Sequence, residues 1–517
     1  MKAFLMYRDR DFDITQQLPW NEPDLMQDLD LATLLKAMAN EDTLLFDVAK
    51  TAVLTSLHDV DSTIYRQDIL RDCLKNPAAV RALYAVAVEA LENEKKKYWG
   101  FSTKYPAFIL HRSIDVMAML VEMLKKLRGI SDEHAGVFQS DGFQRFFTMV
   151  KQELDDAYFE TVLDHLQRLK FRDGVLISAE LGIGNKGTNY TLRELQPAKR
   201  RWFDWFRIRK TSVFTFAIAE RDEAGAKALS ELKDRGINLV ANALAQSTEH
   251  ILSFFTLLRI ELAFYVGCLN LHERLTRIGA PTCFPLPVDS MKHSFSGLYD
   301  ICLALGMNRT IVGNDLNGDC KDLVIITGPN QGGKSTFLRS VALSQLMMQC
   351  GMYVPATSFC SRLCSGLFTH YKREEDATMQ SGKFDEELLR MSRIVDNVRP
   401  DALIVFNESF ATTNEREGSE IASQIVHALV ENRIRVFFVT HLYEFADRLY
   451  NEKMDGALFL RAERKENGER TFKIIEGNPL VTSHGEDLYK GIFGALDDVQ
   501  PMHTVSDEII LTGGIEL

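Results

Sequence analysis

Apolar residues recur at helical spacing through most of the first 290 residues. One such face lies between Leu110 and Leu124. A longer face consists of Ile237, Val240, Leu244, Ile251, Phe255, Leu258, Leu262 and Tyr265. Residues three or four positions apart share one side of an α-helix, so this spacing predicts long, lever-like helices that pack as antiparallel pairs. An ordinary helical bundle would give the same pattern.

The helical pattern is interrupted once and then ends. Residues 182–190 are rich in glycine and asparagine, residues 199–210 are basic and aromatic, and residues 212–218 resemble a strand. We therefore predict a small clamp-like insertion near residues 173–218. Three prolines between residues 280 and 287 mark a boundary, after which short apolar runs alternate with helices, as in an α/β sheet domain.

This pattern predicts three parts in the chain. Residues 1–100 form a helical first part, residues 101–290 form a helical lever region that carries the insertion, and residues 291–517 form an α/β domain. A length of 517 residues accommodates this number of domains, since a domain usually has about 100–200 residues.

A glycine-rich loop follows the apolar run at residues 323–326 and precedes a helical pattern. The loop and the start of the helix comprise Gly328, Pro329, Asn330, Gln331, Gly332, Gly333, Lys334, Ser335 and Thr336. Strand, glycine loop and helix in this order form the context of a P-loop, in which backbone N–H groups surround phosphate. We therefore predict that these residues bind ATP, that Lys334 reaches its β and γ phosphates, and that the Ser335 hydroxyl ligates Mg²⁺.

Two more apolar runs end in polar residues that are suited to the hydrolysis of ATP. Residues 402–406 lead into Asn407 and Glu408, and residues 436–439 lead to His441. A glutamate after such a strand can polarise the attacking water, and a histidine there can sense the γ phosphate. Asn407 stands where an Asp usually supports Mg²⁺, directly or through water, so this site has one negative charge fewer and weak hydrolysis is expected.

Charge and cysteine content narrow the class of protein. The net charge of −12 argues against bulk coating of nucleic acid, so any such contact must be local. Eight cysteines in 517 residues do not form the dense framework of a small secreted domain, which favours a cytoplasmic location. The most apolar stretch, residues 254–271, contains Arg259 and Glu261, so no membrane span is expected.

A local basic segment is the candidate for nucleic-acid contact. Its cations are Lys199, Arg200, Arg201, Arg207, Arg209 and Lys210. Aromatic residues lie among them, so the segment could contact phosphates and stack on bases. A solvated basic face over a buried aromatic edge would give the same composition.

The α/β domain resembles the MutS family of DNA-repair clamps. The resemblance lies in residues 327–336, 351–356 (GMYVPA), 368–376 (FTHYKREED), 407–408, 412–418 and 440–444. Together these motifs cover about residues 310–445 in the family's order. Residues 57–70 fit the family's core and lever domains more loosely.

The resemblance implies a homodimeric ATPase of the broader ABC type, joined through its ATPase domains, in which each nucleotide site is completed by the opposite subunit. Lys334 and Ser335 would hold phosphate and Mg²⁺, Glu408 would activate water, and His441 would respond to the γ phosphate. The residues implied to reach the partner are Ser381, Gly382, Thr412, Thr413 and Asn414.

The chain departs from the family pattern at several positions. Ser381 precedes its glycine in a shortened segment, and Ile311 stands three residues before Asn314, where the family places an aromatic residue against adenine. Asn314 itself matches an ATP-binding asparagine. From this resemblance we expect the chain to start close to the family's core domain and to lack the family's mismatch-reading module.

Two functions are compatible with these features. The first is an ATP-driven clamp on DNA that acts in repair or recombination without reading mismatches. The second is an ATP-gated mechanical switch that acts on RNA, a ribonucleoprotein or a protein partner.

Overall fold

The computed structural model describes residues 1–97, 105–172, 174–194, 214–373, 382–465 and 470–479. The chain divides into two compact units. The first consists of Met1–Asp319 and Arg339–Leu367, and the second of Cys320–Leu338 and Phe368–Leu517.

Helices form most of the first unit up to residue 278. They are α1 (Glu22–Asp28), α2 (Leu31–Ala39), α3 (Thr43–Leu54), α4 (Val60–Lys75), α5 (Pro77–Lys97), α6 (Pro106–His134), α7 (Asp141–Glu153), α8 (Asp156–Arg168) and α9 (Glu223–Arg277). The helices α5 and α6 pack along α9. The prediction of a helical first region is confirmed.

The helix α9 is 55 residues long and contains no proline. It begins where the Asp222 carboxylate accepts a hydrogen bond from the Gly225 N–H, and Arg274 and Arg277 in its last turn complement the negative end of the helix dipole. One window of α9 is long and apolar enough to cross a membrane, but 67% of that window is buried within the protein, as in an ordinary core helix.

A two-stranded antiparallel hairpin lies between α8 and α9. It is formed by β1 (Leu176–Leu181) and β2 (Gly187–Arg193). The prediction of a strand at residues 212–218 is wrong for the part that is described, because residues 214–218 form no strand. The side chain of Phe214 is 88% exposed, so this stretch lacks the packed face that would stabilise a strand.

The first unit also contains a four-stranded mixed sheet. Its strands are β3 (Leu286–Val288), β4 (His293–Leu298), β5 (Asn314–Asn317) and β7 (Ser358–Arg362), in the order β3-β7-β4-β5. The short helix α10 (Ile301–Met307) connects β4 to β5.

The second unit is built on a six-stranded sheet. Its strands are β6 (Leu323–Thr327), β8 (Leu367–Tyr371), β9 (Leu403–Asn407), β10 (Arg435–Val439), β11 (Ala457–Arg464) and β12 (Arg470–Glu476). Their order in the sheet is β12-β11-β6-β10-β9-β8. The strands β11, β6, β10 and β9 are parallel, and β12 is antiparallel to β11. The predicted change from a helical region to an α/β region is confirmed.

The helices α12 (Lys383–Asn397), α13 (Glu415–Glu431) and α14 (Tyr443–Asn451) accompany this sheet, and α11 (Lys334–Gln349) begins after the loop that follows β6. The division between the two units falls within α11. Phe406 of β9 and Phe438 of β10 stack with ring centroids 4.8 Å apart in a core that includes side chains of α12, α13 and α14. Because β6, β9 and β10 are parallel, the residues that follow them meet at one edge of the sheet.

Candidate nucleotide-binding site

The glycine-rich loop, residues 328–333, connects the carboxyl end of β6 to the first turn of α11. Gly328 has a φ of +124°, which residues with a side chain rarely adopt. A Cβ at Gly332 would lie 2.7 Å from the Cβ of Ala462 in β11, so only glycine fits there. The predicted ATP-binding residues Lys334, Ser335 and Thr336 occupy the first turn of α11, whose N-terminus is suited to an anion.

Lys334 points back into this loop. Its side chain is buried, and its Nζ donates hydrogen bonds to the carbonyl oxygens of Gly328 at 2.8 Å and Pro329 at 2.9 Å. Burial lowers the pKa of Lys334 to about 8, and the nearby charge of Glu408 opposes this shift. A phosphate in the loop would favour the ammonium form, since an opposite charge stabilises it.

The two predicted magnesium ligands lie in contact. The Ser335 hydroxyl donates a hydrogen bond of 2.9 Å to Oδ1 of Asn407, the last residue of β9. A hydroxyl and an amide oxygen are both ligands that Mg²⁺ accepts, directly or through water. These oxygens therefore fit Mg²⁺ chemically, although neither of them carries a charge.

Glu408 and His441 also lie side by side. The His441 Nε2 is 3.1 Å from Oε1 of Glu408 and 3.4 Å from Nζ of Lys334. The hydrogen bond from His441 lowers the pKa of Glu408. In a neutral ring, Nε2 cannot donate to a carboxylate and accept from an ammonium together, and the shorter distance favours donation to Glu408. A charged carboxylate is therefore fixed next to the loop.

The residues after Glu408 have partners within the same unit. The Asn414 side chain caps α13 by accepting a hydrogen bond from the Glu417 N–H at 2.9 Å, and Thr413 donates to the Glu417 carboxylate. The Thr412 hydroxyl donates to Oε2 of Glu387 at 2.9 Å. The implied roles of Thr412, Thr413 and Asn414 toward a second subunit stay predictions.

The remaining predicted site residues belong to other elements or lie outside the described residues. Gly382 is the exposed residue before α12, and Asn314 is buried at the start of β5 in the first unit. Ser381 and the basic candidates lie outside the described residues; those candidates are Lys199, Arg200, Arg201, Arg207, Arg209 and Lys210. Their roles stay predictions.

Several residues near the site were not identified from the sequence. Arg470 of β12 donates a hydrogen bond to the Gln331 side chain at 2.5 Å. The backbone of Phe472 lies close to Gly333, while 48% of this residue is exposed. Glu387 and His370 contact the loop after Glu408. His370 lies in the motif at residues 368–376, but that motif does not specify what the ring contacts. Arg470, Phe472 and Glu387 belong to none of the motifs, and only the packing of distant segments brings them to the site.

Two family models match the chain, one in each region. The model of the MutS2 N-terminal domain matches residues 58–278, and the model of MutS domain V matches residues 324–487. The described residues of the candidate site from Gly328 to His441 fall within the second match.

Individual relatives with similar sequences also carry MutS in their names. The chain is 34% identical to "DNA mismatch repair protein MutS" of Clostridium botulinum (strain Alaska E43 / Type E3) over 185 residues, which cover 34% of the chain and 19% of that protein. It is 32% identical to "MutS protein homolog 4" of Homo sapiens over 156 residues, which cover 30% of the chain and 17% of that protein. The matches thus span only about a fifth of the length of these relatives.

Proposed function

Since the chain belongs to the MutS family, we propose that its second unit binds ATP with Mg²⁺ and hydrolyses the nucleotide slowly, and that this cycle drives a dimeric clamp on DNA in repair or recombination. One observation carries the proposal. Lys334, Ser335, Asn407, Glu408 and His441 are separated by up to 107 positions in sequence, yet hydrogen-bond distances link them into one cluster at the carboxyl edge of the parallel sheet.

In the proposed reaction, Lys334 exchanges the carbonyl oxygens of Gly328 and Pro329 for phosphate oxygens of ATP. This exchange is favourable because an ammonium binds a charged phosphate more strongly than a neutral carbonyl. Backbone N–H groups of the loop and of the first turn of α11 bind the remaining phosphate oxygens.

Glu408 is the proposed base toward the attacking water. Its lowered pKa keeps it ionised at neutral pH, and the bond from His441 holds its Oε1 in place. The carboxylate orients the water and accepts its proton. His441 lies between Glu408 and Lys334, so a change at the phosphate contacted by Lys334 reaches the base through one ring.

Magnesium, when bound, would neutralise phosphate charge, and the Ser335 hydroxyl and the Asn407 amide oxygen would hold it. The amide accepts a hydrogen bond from a metal-bound water as an aspartate would, but it adds no charge. Weak magnesium binding and slow hydrolysis follow, and the intact Glu408 keeps the site active.

The proposed partner, DNA, is supported by the relatives that are named DNA mismatch repair proteins. With a net charge of −12, the chain needs a local basic surface for this contact, and residues 199–210 are the proposed one. The proposed clamp is a homodimer, as the family resemblance implies, and the proposed location is cytoplasmic.

ATP hydrolysis by the purified chain tests the proposal. In Lys334→Ala, turnover should fall to the background rate, because the cation aimed at the phosphates is removed. In Glu408→Gln, ATP binding should persist while hydrolysis stops, since the amide cannot accept the proton. Lys321→Ala is the control, because Lys321 lies at the opposite end of β6. Parent-like turnover in Lys334→Ala would refute the nucleotide site.

A binding screen then separates the two functions that the sequence permits. Duplex DNA, branched DNA and structured RNA are compared with and without ATP. ATP-dependent retention on DNA supports the clamp. Retention on RNA alone contradicts it and favours the mechanical switch.

A further inference from the structure

Glu387 of α12 is a buried carboxylate that contacts the loop immediately after Glu408. Its Oε2 accepts hydrogen bonds from the backbone N–H of Phe410 at 3.1 Å and from the Thr412 hydroxyl at 2.9 Å. Only 4% of Glu387 is exposed to solvent. One oxygen atom therefore holds two points of the loop that begins with the proposed base.

His370 of β8 holds the same loop at a further point. Its Nε2 lies 3.0 Å from the carbonyl oxygen of Glu387, and its Nδ1 lies 2.7 Å from the Ser409 hydroxyl. Because burial keeps this ring neutral, Nε2 carries the hydrogen and donates it to the carbonyl. The Ser409 hydroxyl, which lies beside the unprotonated Nδ1, donates to the backbone carbonyl oxygen of His370 at 2.5 Å. The ring also stacks on Phe410, with centroids 5.3 Å apart.

The loop needs such support because its backbone is strained. Glu408 has a φ of +56° and Phe410 a φ of +62°, and both residues carry side chains that disfavour the left-handed region. Strained residues at a functional site keep their conformation only where the surrounding contacts determine it. The bonds from Glu387 and His370 are such contacts.

The second carboxylate oxygen of Glu387 indicates that packing alone does not explain why a carboxylate is buried at this position. Its Oε1 is buried and has no hydrogen-bond partner among the described residues. Among the described residues the carboxylate is thus only half paired, and burial raises the pKa of Glu387 because the charged group loses hydration. Its evident contribution is the pair of bonds that Oε2 accepts from the loop.

We propose that Glu387 is a positioning residue, which ties the start of α12 to residues 409–412 and thereby holds the Glu408 carboxylate toward the attacking water. The inference rests on the proposed ATP hydrolysis. Without the two bonds, the strained backbone at Glu408 and Phe410 relaxes and the carboxylate turns away. The hydrogen bonds that Glu387 makes with described residues go to His370, Phe410 and Thr412 rather than to the glycine-rich loop, so we expect nucleotide binding to persist.

Three substitutions test this role. Glu387→Ala removes both bonds, Thr412→Val removes one and preserves the shape of the side chain, and Glu387→Gln keeps an oxygen that can replace Oε2. Asp396→Ala is the matched control, because Asp396 is an exposed acid on the same helix. For each variant, kcat and KM for ATP are measured together with the Kd for a fluorescent ATP analogue and the melting temperature.

We expect Glu387→Ala to lower kcat about tenfold to a hundredfold, since small misplacements of a reacting group cost rates of this order. Thr412→Val should give a smaller loss, and Glu387→Gln should stay within about threefold of the parent. KM and Kd should stay close to the parent values in all three. If Glu387→Ala does not fold, Thr412→Val and Glu387→Gln carry the test.

Three results would overturn the inference alone, and a fourth would overturn it together with the proposed function. If kcat in Glu387→Ala or Thr412→Val equals that of the parent, the two hydrogen bonds do not position the base. If Glu408→Gln is inactive in the same assay, the proposed function still holds. An equal loss in kcat and in nucleotide binding indicates general damage to the site. A loss in Glu387→Gln as large as in the alanine variant shows that charge, rather than the accepted bonds, matters. If Glu408→Gln hydrolyses ATP like the parent, the proposed function itself fails, and the inference fails with it.

Discussion

The buried ring of His370 makes the stability of the second unit depend on pH. Burial, aided by the nearby Arg390 charge, lowers the pKa of His370 from its ordinary value of 6.5 to about 3. Below pH 6.5 the unfolded chain binds a proton at this histidine that the folded chain excludes. Since the unfolded state then binds more protons, the free energy of unfolding falls as the pH drops from 6.5 toward 3.

The size of the effect follows from the pKa shift. Each pH unit between the two pKa values changes the free energy of unfolding by about 1.4 kcal/mol. Between pH 6.5 and pH 5, His370 should therefore remove about 2 kcal/mol of stability. Above pH 7 the ring is neutral in both states, and its contribution becomes constant.

Urea unfolding of the parent, His370→Gln and His427→Gln at several pH values between 5 and 7.5 measures this effect. The loss of about 2 kcal/mol should be present in the parent and absent in His370→Gln. His427 is a half-exposed histidine on α13, so its variant should follow the parent to within about 1 kcal/mol. Parallel pH curves for the parent and His370→Gln would refute a buried neutral ring.

Two further predictions concern the metal and the nucleic acid. Asn407→Asp should lower the Mg²⁺ concentration for half-maximal ATP hydrolysis by about tenfold, because a carboxylate adds charge next to Ser335; an unchanged Mg²⁺ titration contradicts this role. Matched and mismatched duplexes should bind with affinities within about 1.4 kcal/mol of each other, as competition binding would measure. We expect this because the aromatic rings of the two Phe-x-Glu triplets, at residues 384–386 and 406–408, are not accessible to a base step. Phe406 is fully buried, and Phe384 packs against the same core.

The part of the site that was predictable from sequence consists of short local motifs, each at the end of an apolar strand. The glycine-rich loop has its strand before it and its helix after it, so local spacing alone places Lys334 and Ser335 together. Glu408 and His441 each follow a buried parallel strand, and parallel strands end at the same edge. The hydrogen-bond distance between them follows from that topology.

The rest of the site depends on contacts between distant segments. Ala462 excludes a side chain at Gly332 because β11 pairs with β6, and nothing in either segment alone specifies that pairing. Glu387 is one of several acids near the start of α12, and only the fold selects it for the interior. The strand predicted at residues 212–218 is an element that the sequence predicted and the described residues do not form, since an apolar pattern does not form a strand without a packed face.

The length of α9 has a geometric consequence. At about 1.5 Å per residue, its 55 residues extend about 80 Å. Its buried side chains concentrate between Ile251 and Leu275, whereas the half that begins at Glu223 is largely exposed. If the buried half rotates by about 5°, the exposed end travels about 7 Å, because displacement grows in proportion to the radius. A small rotation in the core of the first unit would therefore displace the exposed end of α9 by a distance comparable to the width of the minor groove of DNA.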